Sequence, residues 1–430
     1  MRTKATVFEF VGYKAYLNEG KFEFYYKILF DDGKSEEFVE KLRIASQNRL
    51  VIENSLDNIL QNLLLMLGIS YYKLYCPKEI KINGYSLTSD QAKFWNTVYT
   101  KGLGEFFYKN KIDFHGLVNF PYHNSTSGVE SVKLIVSQKA LVPFGGGKDS
   151  IVTAQILKEK NIPFETFTLN TTRLQQDLIK LLNVNNIIVM RELDPKLFVL
   201  NEHKGVYNGH IPITAIYSFV AIIVAYMYGF NEIVMSNEKS ASFGNVEYLG
   251  SEINHQWSKS EEFERLFHDY INKFVTGDIN YYSLLRPFYE IEVIHQFVKW
   301  PQYFPIFSSC NVNFQIKKNV GKKKWCGSCA KCCFIFTLMS SFISKNELIK
   351  IFKENLFAKT DLIHIYRELL GLEKIKPFEC VGTPEETMVA FYAASRRSEY
   401  KNDIVMQMFE REVYPKIKNI KEMRRQVLSD

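Results

Sequence analysis

Hydrophobic residues change their spacing along this chain, and each change marks a new kind of structure. Up to about residue 45 they alternate with polar ones, as in Lys21-Phe-Glu-Phe-Tyr-Tyr-Lys-Ile-Leu-Phe30, which runs into Asp31-Asp-Gly33. Alternation gives a strand one apolar face and Asp-Gly supplies a turn, so a small antiparallel sheet is predicted to start the chain. Over 46–70 the residues Leu56, Ile59, Leu60, Leu63 and Leu64 follow spacings of three and four. That predicts a helix, and a second is predicted over 88–110. Residues 111–130 have weak periodicity and read as a connector, with His115 and His123 as ordinary loop residues.

From about 131 strands and helices alternate. Strands are predicted at the apolar run from Ala140 and over 164–169, 186–190 and 232–236; helices over 172–182, 212–230 and 261–274. Such units imply a parallel sheet with right-handed crossovers, whose ligands bind beyond the carboxyl ends of the strands. The expected organisation is an N-terminal α+β domain over 1–130, an α/β domain over 131–300, and a cysteine-containing, helical C-terminal region over 301–430. Ile213 to Phe230 carries no charge over 18 residues, close to the lower limit for a membrane span. It is a single such stretch with polar motifs on both sides, so a buried helix is expected and no membrane span. Met1-Arg-Thr-Lys4 opens no signal peptide, and a cytoplasmic protein is expected.

The content of 46% hydrophobic and 23% charged residues is that of an ordinary globular chain, and 430 residues allow two or three domains. A formal charge of +7 suits a polyanionic partner but does not choose between a nucleotide and RNA. The stretch Ala140-Leu-Val-Pro-Phe-Gly-Gly-Gly-Lys-Asp-Ser150 is more selective. It reads as a strand, a turn at Gly145, Gly146 and Gly147, and a helix start at Asp149 and Ser150. A glycine turn lets the backbone approach a ligand, and a helix N-terminus offers free N–H groups to phosphate. It is not a Walker A loop, because Asp149 follows Lys148. Other polar segments fall at predicted strand ends: Asn170, and Ser236-Asn237-Glu238-Lys239. His210 precedes the apolar helix, and His255 and Lys259 precede the helix over 261–274.

Seven cysteines in 430 residues are too few for a disulfide scaffold. Cys326, Cys329 and Cys332 stand three apart, with Cys310 upstream. Four soft thiolates suit tetrahedral Zn²⁺ in a structural role, and an iron–sulfur cluster uses similar spacing. Cys76, Cys333 and Cys380 read as core residues.

The glycine stretch resembles the Ser-Gly-Gly-x-Asp-Ser loop of the PP-loop ATP pyrophosphatases, with Gly145 in place of the serine. That resemblance implies a parallel-sheet, adenine nucleotide alpha-hydrolase-like fold and cleavage of ATP to AMP and pyrophosphate. The late cysteine run resembles the 7-cyano-7-deazaguanine synthases, which leaves adenylation of a nucleobase or tRNA as the alternative. The intervening motifs resemble the MurL family instead: Asn208-Gly-His-Ile-Pro-Ile-Thr-Ala215, Ser236-Asn-Glu-Lys-Ser-Ala-Ser242, Asn254-His-Gln-Trp-Ser-Lys-Ser260, Trp325-Cys-Gly-Ser-Cys-Ala-Lys-Cys332 and Glu379-Cys-Val-Gly382. MurL proteins are UDP-N-acetyl-α-D-muramoyl-L-alanyl-L-glutamate epimerases. The resemblance implies ATP- and Mg²⁺-dependent inversion of a terminal L-Glu in peptidoglycan precursor synthesis. It also implies functional coupling to an L-Glu-adding Mur ligase and no nucleic-acid partner. In such a mechanism Lys148 and Ser150 would contact phosphate and Asp149 would hold Mg²⁺. Gly145, Gly146, Gly147, Asn170, Ser236 and Asn237 complete the expected nucleotide site. The candidate acid–base groups are His210, His255, Glu238, Lys239 and Lys259, with the histidines preferred.

Overall fold

The alternating residues of the first segment form three long antiparallel strands, β1 (Ala5–Tyr16), β2 (Lys21–Phe30) and β3 (Ser35–Ile44). The computed structural model describes residues 4–45, 56–123, 137–314 and 324–428. Phe8 and Phe10, Phe22, Phe24 and Tyr26, and Phe38 and Leu42 are buried on one face of these strands. The helix Leu56–Leu67 covers that face, and Tyr26 Oη donates to its Leu64 carbonyl at 3.1 Å. The earlier part of the expected helix, 46–55, and the end of the connector, 124–130, lie outside the described residues.

Short β4 (Glu79–Ile82) pairs with β1 in parallel. The alternating segment then supplies β5 (Ser137–Pro143), β6 (Phe164–Leu169), β7 (Asn186–Glu192) and β8 (Phe230–Met235). A small ribbon follows, β9 (Val246–Tyr248) with β10 (Ser251–Ile253). Then comes β11 (Asn280–Ser283), a fifth parallel strand that four residues of weak pattern did not announce. The large sheet has the order β11-β8-β5-β6-β7-β3-β2-β1-β4. From β5 the chain steps outward to β6 and β7, then returns to the other side of β5 to make β8. That reversal is a topological switch point, where crevices open at the carboxyl ends of strands. The expected parallel α/β sheet is therefore present.

The antiparallel strands are not a sheet of their own. β3 pairs with β7, placing Leu42 opposite Arg191. Beside this seam the Arg191 guanidinium is buried, with Nε 2.6 Å from Glu40 Oε1 and Nη2 2.8 Å from Ser70 Oγ. Burial pushes the Glu40 carboxyl up despite that partner. A buried pair of this kind contributes little net stability but strongly disfavours other registers, which would leave its charges unpaired. Pairing across about 150 positions has no local signature, which is why the sequence pattern suggests separate sheets.

The apolar stretch forms the buried helix Ile213–Tyr228, packed between the helix Leu56–Leu67 and the sheet and stopped by Gly229 in the left-handed region. Among the described residues no helix is long and apolar enough to cross a membrane. The C-terminal region is helical, as expected. Its helix Ala330–Ser340 starts at Cys329, whose sulfur accepts from Cys332 N. It packs on the helix Pro384–Ser395. Its core includes Ile151 and Val152 from the helix after β5, and Ile291 and Ile294 from the helix Glu290–Phe297. The C-terminal region thus reaches the carboxyl ends of the parallel strands.

Candidate active site

The glycine turn lies where β5 ends. Phe144 N donates to Phe167 O of β6 at 2.8 Å, which fixes the strand as the chain leaves the sheet. Gly146 has φ +79°, and a Cβ there would stand 2.8 Å from Leu174 Cδ2 and 3.1 Å from Gln175 Cγ. Glycine meets both demands. The helix Lys148–Glu159 starts at once, with Gly147 as its N-cap and no side chain capping it. Its first N–H groups are therefore available to an anion. Ser150 Oγ is turned inward, accepting from Gly146 N at 3.2 Å and donating to Gly147 O at 3.0 Å. Two buried hydroxyls border this turn without a hydrogen bond among the described residues. One is Ser309 Oγ, 3.2 Å from where a Cβ on Gly147 would be; the other is Ser236 Oγ at the end of β8. Free buried hydroxyls beside an uncapped helix start fit a polyanionic ligand such as a nucleotide phosphate.

An ionic cluster anchors the turn. The fully buried Lys148 ammonium pairs with both Asp149 and Glu290. Glu290 Oε1 also takes Lys331 Nζ at 2.8 Å. Burial opposes the charges of Lys148 and Glu290, but their partners more than reverse it. The ammonium is held above its ordinary range and the carboxyl well below its own. Glu238, at the end of β8, is buried with Oε1 unengaged among the described residues. Burial first, then the charges of Glu290 and Asp149, push its carboxyl up to about 7.

That shift has a stability consequence. The folded chain binds the Glu238 proton more tightly than the unfolded chain, whose carboxyl titrates near 4.5. The associated stabilisation is complete below about pH 4.5 and is lost as pH rises through about 7. Glu238→Gln has no charge to bury. It is expected to be more stable to urea than the unsubstituted chain above pH 7, with the gap closing toward pH 4.5. A gap independent of pH would contradict the assignment.

A second cluster gathers around His255. Its Nδ1 donates to Glu105 Oε2, and His210 Nδ1 lies 3.6 Å from the same oxygen. The two imidazole rings are 4.5 Å apart. Burial holds His210 well below the ordinary range, and the charges of His255 and Lys259 push the same way. Burial also lowers His255, but Cys380 and Glu105 override it and raise the imidazole to about 9. At neutral pH the pair is therefore one imidazolium and one imidazole. His255 Nε2 lies 3.8 Å from Cys380 Sγ, and Lys259 Nζ is 3.4 Å from the same sulfur. Lys259 also feels the charges of Glu238, Asp149 and Glu290, so it connects this cluster with the phosphate-type turn.

Several expected residues sit differently. Lys239 is exposed and its ammonium lies over the Tyr289 ring at 4.6 Å. Asn170 (φ +53°) uses its amide on the Arg191 backbone, and Asn237 Nδ2 donates to Ser283 Oγ at 3.1 Å. Cys76 and Cys333 are buried as expected. Cys380 is not a core cysteine but a half-buried residue whose sulfur lies among charged groups. Sequence reasoning also missed Glu105, Glu290, Lys331 and Arg286. Arg286 clamps the loops by donating to Glu238 O at 2.9 Å, Lys259 O at 2.8 Å and Glu264 at 2.7 Å. Arg286 and Glu290 follow the unrecognised β11, so strand-end reasoning applied there would have found them.

The four clustered cysteines come together as expected. The sulfurs of Cys310, Cys326, Cys329 and Cys332 all lie within 4.8 Å of one another, and Cys326 Sγ is 3.6 Å from Cys332 Sγ. A tetrahedral zinc thiolate site has bonds of about 2.3 Å and hence sulfur–sulfur edges of about 3.8 Å. The donor set and its spacing fit Zn²⁺. Gly327 (φ +69°) makes the tight turn between two of the sulfurs, and a Cβ there would overlap the Glu354 carboxylate. Lys331 leaves this knot to reach Glu290, and its backbone N donates to Glu379 at 2.6 Å, beside Cys380.

The fold and this site define a mixed α/β protein with a glycine turn and two polar clusters at the switch point of its parallel strands. Residues 1–284 match the MurL N-terminal domain and residues 306–424 the MurL C-terminal domain, and the chain belongs to the MurL family. It is 38% identical to a UDP-N-acetyl-alpha-D-muramoyl-L-alanyl-L-glutamate epimerase of Xanthomonas oryzae pv. oryzae, over 84% of this chain and 80% of that protein. Proteins of the same name from a Micromonospora strain and from Salinispora tropica are 33% and 32% identical. Each of these matches covers 92% of this chain and, in that order, 88% and 86% of the relative. A solved structure, described as a predicted subunit of tRNA methyltransferase from Methanocaldococcus jannaschii, matches 38% of this chain and 75% of its own at 22% identity. Its TM-score of 0.25 is too low to inform fold or function.

Proposed function

We propose that this chain inverts the α-carbon of the terminal L-Glu of UDP-MurNAc-L-Ala-L-Glu, the reaction for which its relatives are named, and that it uses ATP to do so. The observation that carries the reading is the meeting of two chemically different halves across Lys259: a phosphate-type turn and a cluster suited to proton transfer. A free α-carboxylate makes the neighbouring C–H bond hard to ionise, because a carbanion would form beside a negative charge. Converting the carboxylate to an acyl-adenylate removes that charge and lets the acyl carbonyl accept the electron pair. The turn at Gly145, Gly146 and Gly147, with the helix start at Lys148 and Ser150, would hold the phosphates, and Ser236 and Ser309 offer free hydroxyls. Asn170 and Asn237 shape the strand ends around them. Asp149 would hold Mg²⁺, which neutralises phosphate charge when bound. Cys310, Cys326, Cys329 and Cys332 would hold a structural Zn²⁺.

With the carboxylate activated, a base removes the Cα proton and an acid returns one on the opposite face. His210, His255, Glu238 and Lys259 belong to the groups available for this work, whereas Lys239 has the least favourable position. Pyrophosphate leaves when the adenylate forms, and hydrolysis of the adenylate after proton transfer gives the D-Glu product and AMP. The substrate is the product type of an L-Glu-adding ligase, so the two enzymes are expected to work in sequence in the cytoplasm, without nucleic acid. In D₂O, deuterium is expected to enter Cα of the terminal glutamate with the muramoyl dipeptide, ATP and Mg²⁺ present, and not when ATP is omitted. Epimerisation without ATP would overturn the role of the turn. Pyrophosphate release with a tRNA or deazaguanine substrate, and none with the dipeptide, would replace the whole reading.

A further inference from the structure

The thiol of Cys380 has surroundings unlike those of the other buried cysteines. Cys76 Sγ lies 3.7 Å from the Lys73 carbonyl, and burial pushes it up to about 12. Burial pushes Cys333 to about 12 as well. Burial thus favours the neutral thiol at both positions. Cys380 has an ammonium 3.4 Å away on one side and an imidazole nitrogen 3.8 Å away on another. Behind that imidazole stands Glu105, hydrogen-bonded to Nδ1, which fixes the ring and leaves Nε2 directed at sulfur. Two cations around a neutral thiol would be wasted desolvation; around a thiolate they are its counter-charges. The pull of Lys259 and His255 overcomes burial and brings the thiol down to about 6.

The position is also built rather than incidental. Asn245 Oδ1 accepts from His255 N at 2.8 Å while its Nδ2 donates to Pro377 O at 2.7 Å. Gln256 Nε2 donates to Val381 O at 3.2 Å. These bonds hold the His255 loop and the Cys380 segment together on both sides of the sulfur. Glu379 receives the backbone N–H of Lys331, so the segment is tied to the cysteine knot too. The residue as a whole is half-buried, whereas Cys76 and Cys333 are buried.

Resting on the epimerase reading above, we propose that Cys380 is a catalytic residue: its thiolate is one of the two groups that exchange a proton with the glutamyl α-carbon. In the direction where it acts as base, the thiolate takes the Cα proton and the electron pair of the C–H bond moves into the activated acyl group. A protonated second group gives its proton to the opposite face. The thiol and that second group then return to their starting states by exchange with solvent, so no oxidant or reductant is involved. Lys259, His255 and Glu105 act as positioning residues that stabilise the thiolate.

The test uses the full chain carrying Cys380→Ser or Cys380→Ala, with ATP, Mg²⁺ and either epimer of the muramoyl dipeptide in D₂O. Both variants are expected to retain pyrophosphate release, which reports a folded activating half. Epimerisation is expected to fall about 10²–10⁴-fold, the usual contribution of a positioned acid–base group. Exchange at Cα should fall that far for one epimer and persist for the other, because the second group still faces its own side. Equal exchange from both epimers at the rate of the unsubstituted chain would overturn the proposal. So would loss of pyrophosphate release together with exchange in the serine variant, or a substrate-sized acyl adduct on Cys380 after acid quench, which marks a nucleophile. Failure of the unsubstituted chain to epimerise with ATP would instead remove the underlying reading.

Discussion

Gly146→Val is expected to abolish pyrophosphate release while the chain remains folded. Gly146 occupies φ +79°, a region costly for a β-branched residue, and its Cβ would press on Leu174 at 2.8 Å and Gln175 at 3.1 Å. Such a strained residue costs about 1–3 kcal/mol, less than the roughly 5–15 kcal/mol by which a typical domain is stable. The cost falls on the turn. Gln175 Nε2 donates to Phe144 O at 2.9 Å, and displacing that side chain loosens the exit of β5 as well as the free N–H groups after it. Pyrophosphate release and a thermal melt on the same preparation check the result. Release at the unsubstituted rate would remove the phosphate role of this turn.

The second large effect is expected at the cysteine knot. Freshly purified chain should contain about one zinc per molecule, and Cys326→Ser should lower both metal content and melting temperature sharply. Structural zinc contributes apparent binding energies of about 10–16 kcal/mol in small peptides, so losing one of four thiolates should remove several kcal/mol. The knot starts the helix Ala330–Ser340, whose residues are buried throughout. It also directs Lys331 to Glu290, and Glu290 holds Lys148. Activity should therefore decline with stability, and low-temperature assays should recover part of it. Metal-free protein with an unchanged melt would refute the structural role.

Much of this site was legible because its signals are local. Three glycines before a helix start, Ser236, Asn237 and Glu238 at a strand end, and cysteines three apart each need only a few neighbouring residues to be recognised. What stayed hidden depends on distance. Cys380 looks apolar in sequence and gains two cationic neighbours only because Lys259 and His255, more than 120 positions earlier, are folded against it. Glu290 gains its meaning from Lys148 and Lys331, and Glu105 from two histidines on separate loops. Lys239 shows the converse: it adjoins Glu238 in sequence, yet it is exposed with its ammonium over the Tyr289 ring. The continuous sheet was hidden for the same reason, since the paired residues of β3 and β7 stand about 150 positions apart in the chain.

The ionic cluster at Lys148 also fixes when in the life of a polypeptide the site can exist. Translation runs from the N-terminus at about 5–20 residues per second. Lys148 emerges well before Glu290 and Lys331, its anchor and that anchor's second cation, and Cys380 follows later still. A ribosome-bound chain that has reached the buried helix Ile213–Tyr228 already has the glycine turn, yet lacks the carboxylate that seats its lysine. The half that would bind nucleotide and the half that would move protons are thus completed within about a hundred residues of each other, near the end of synthesis. A chain that stops short of Glu290 therefore has neither half in working order.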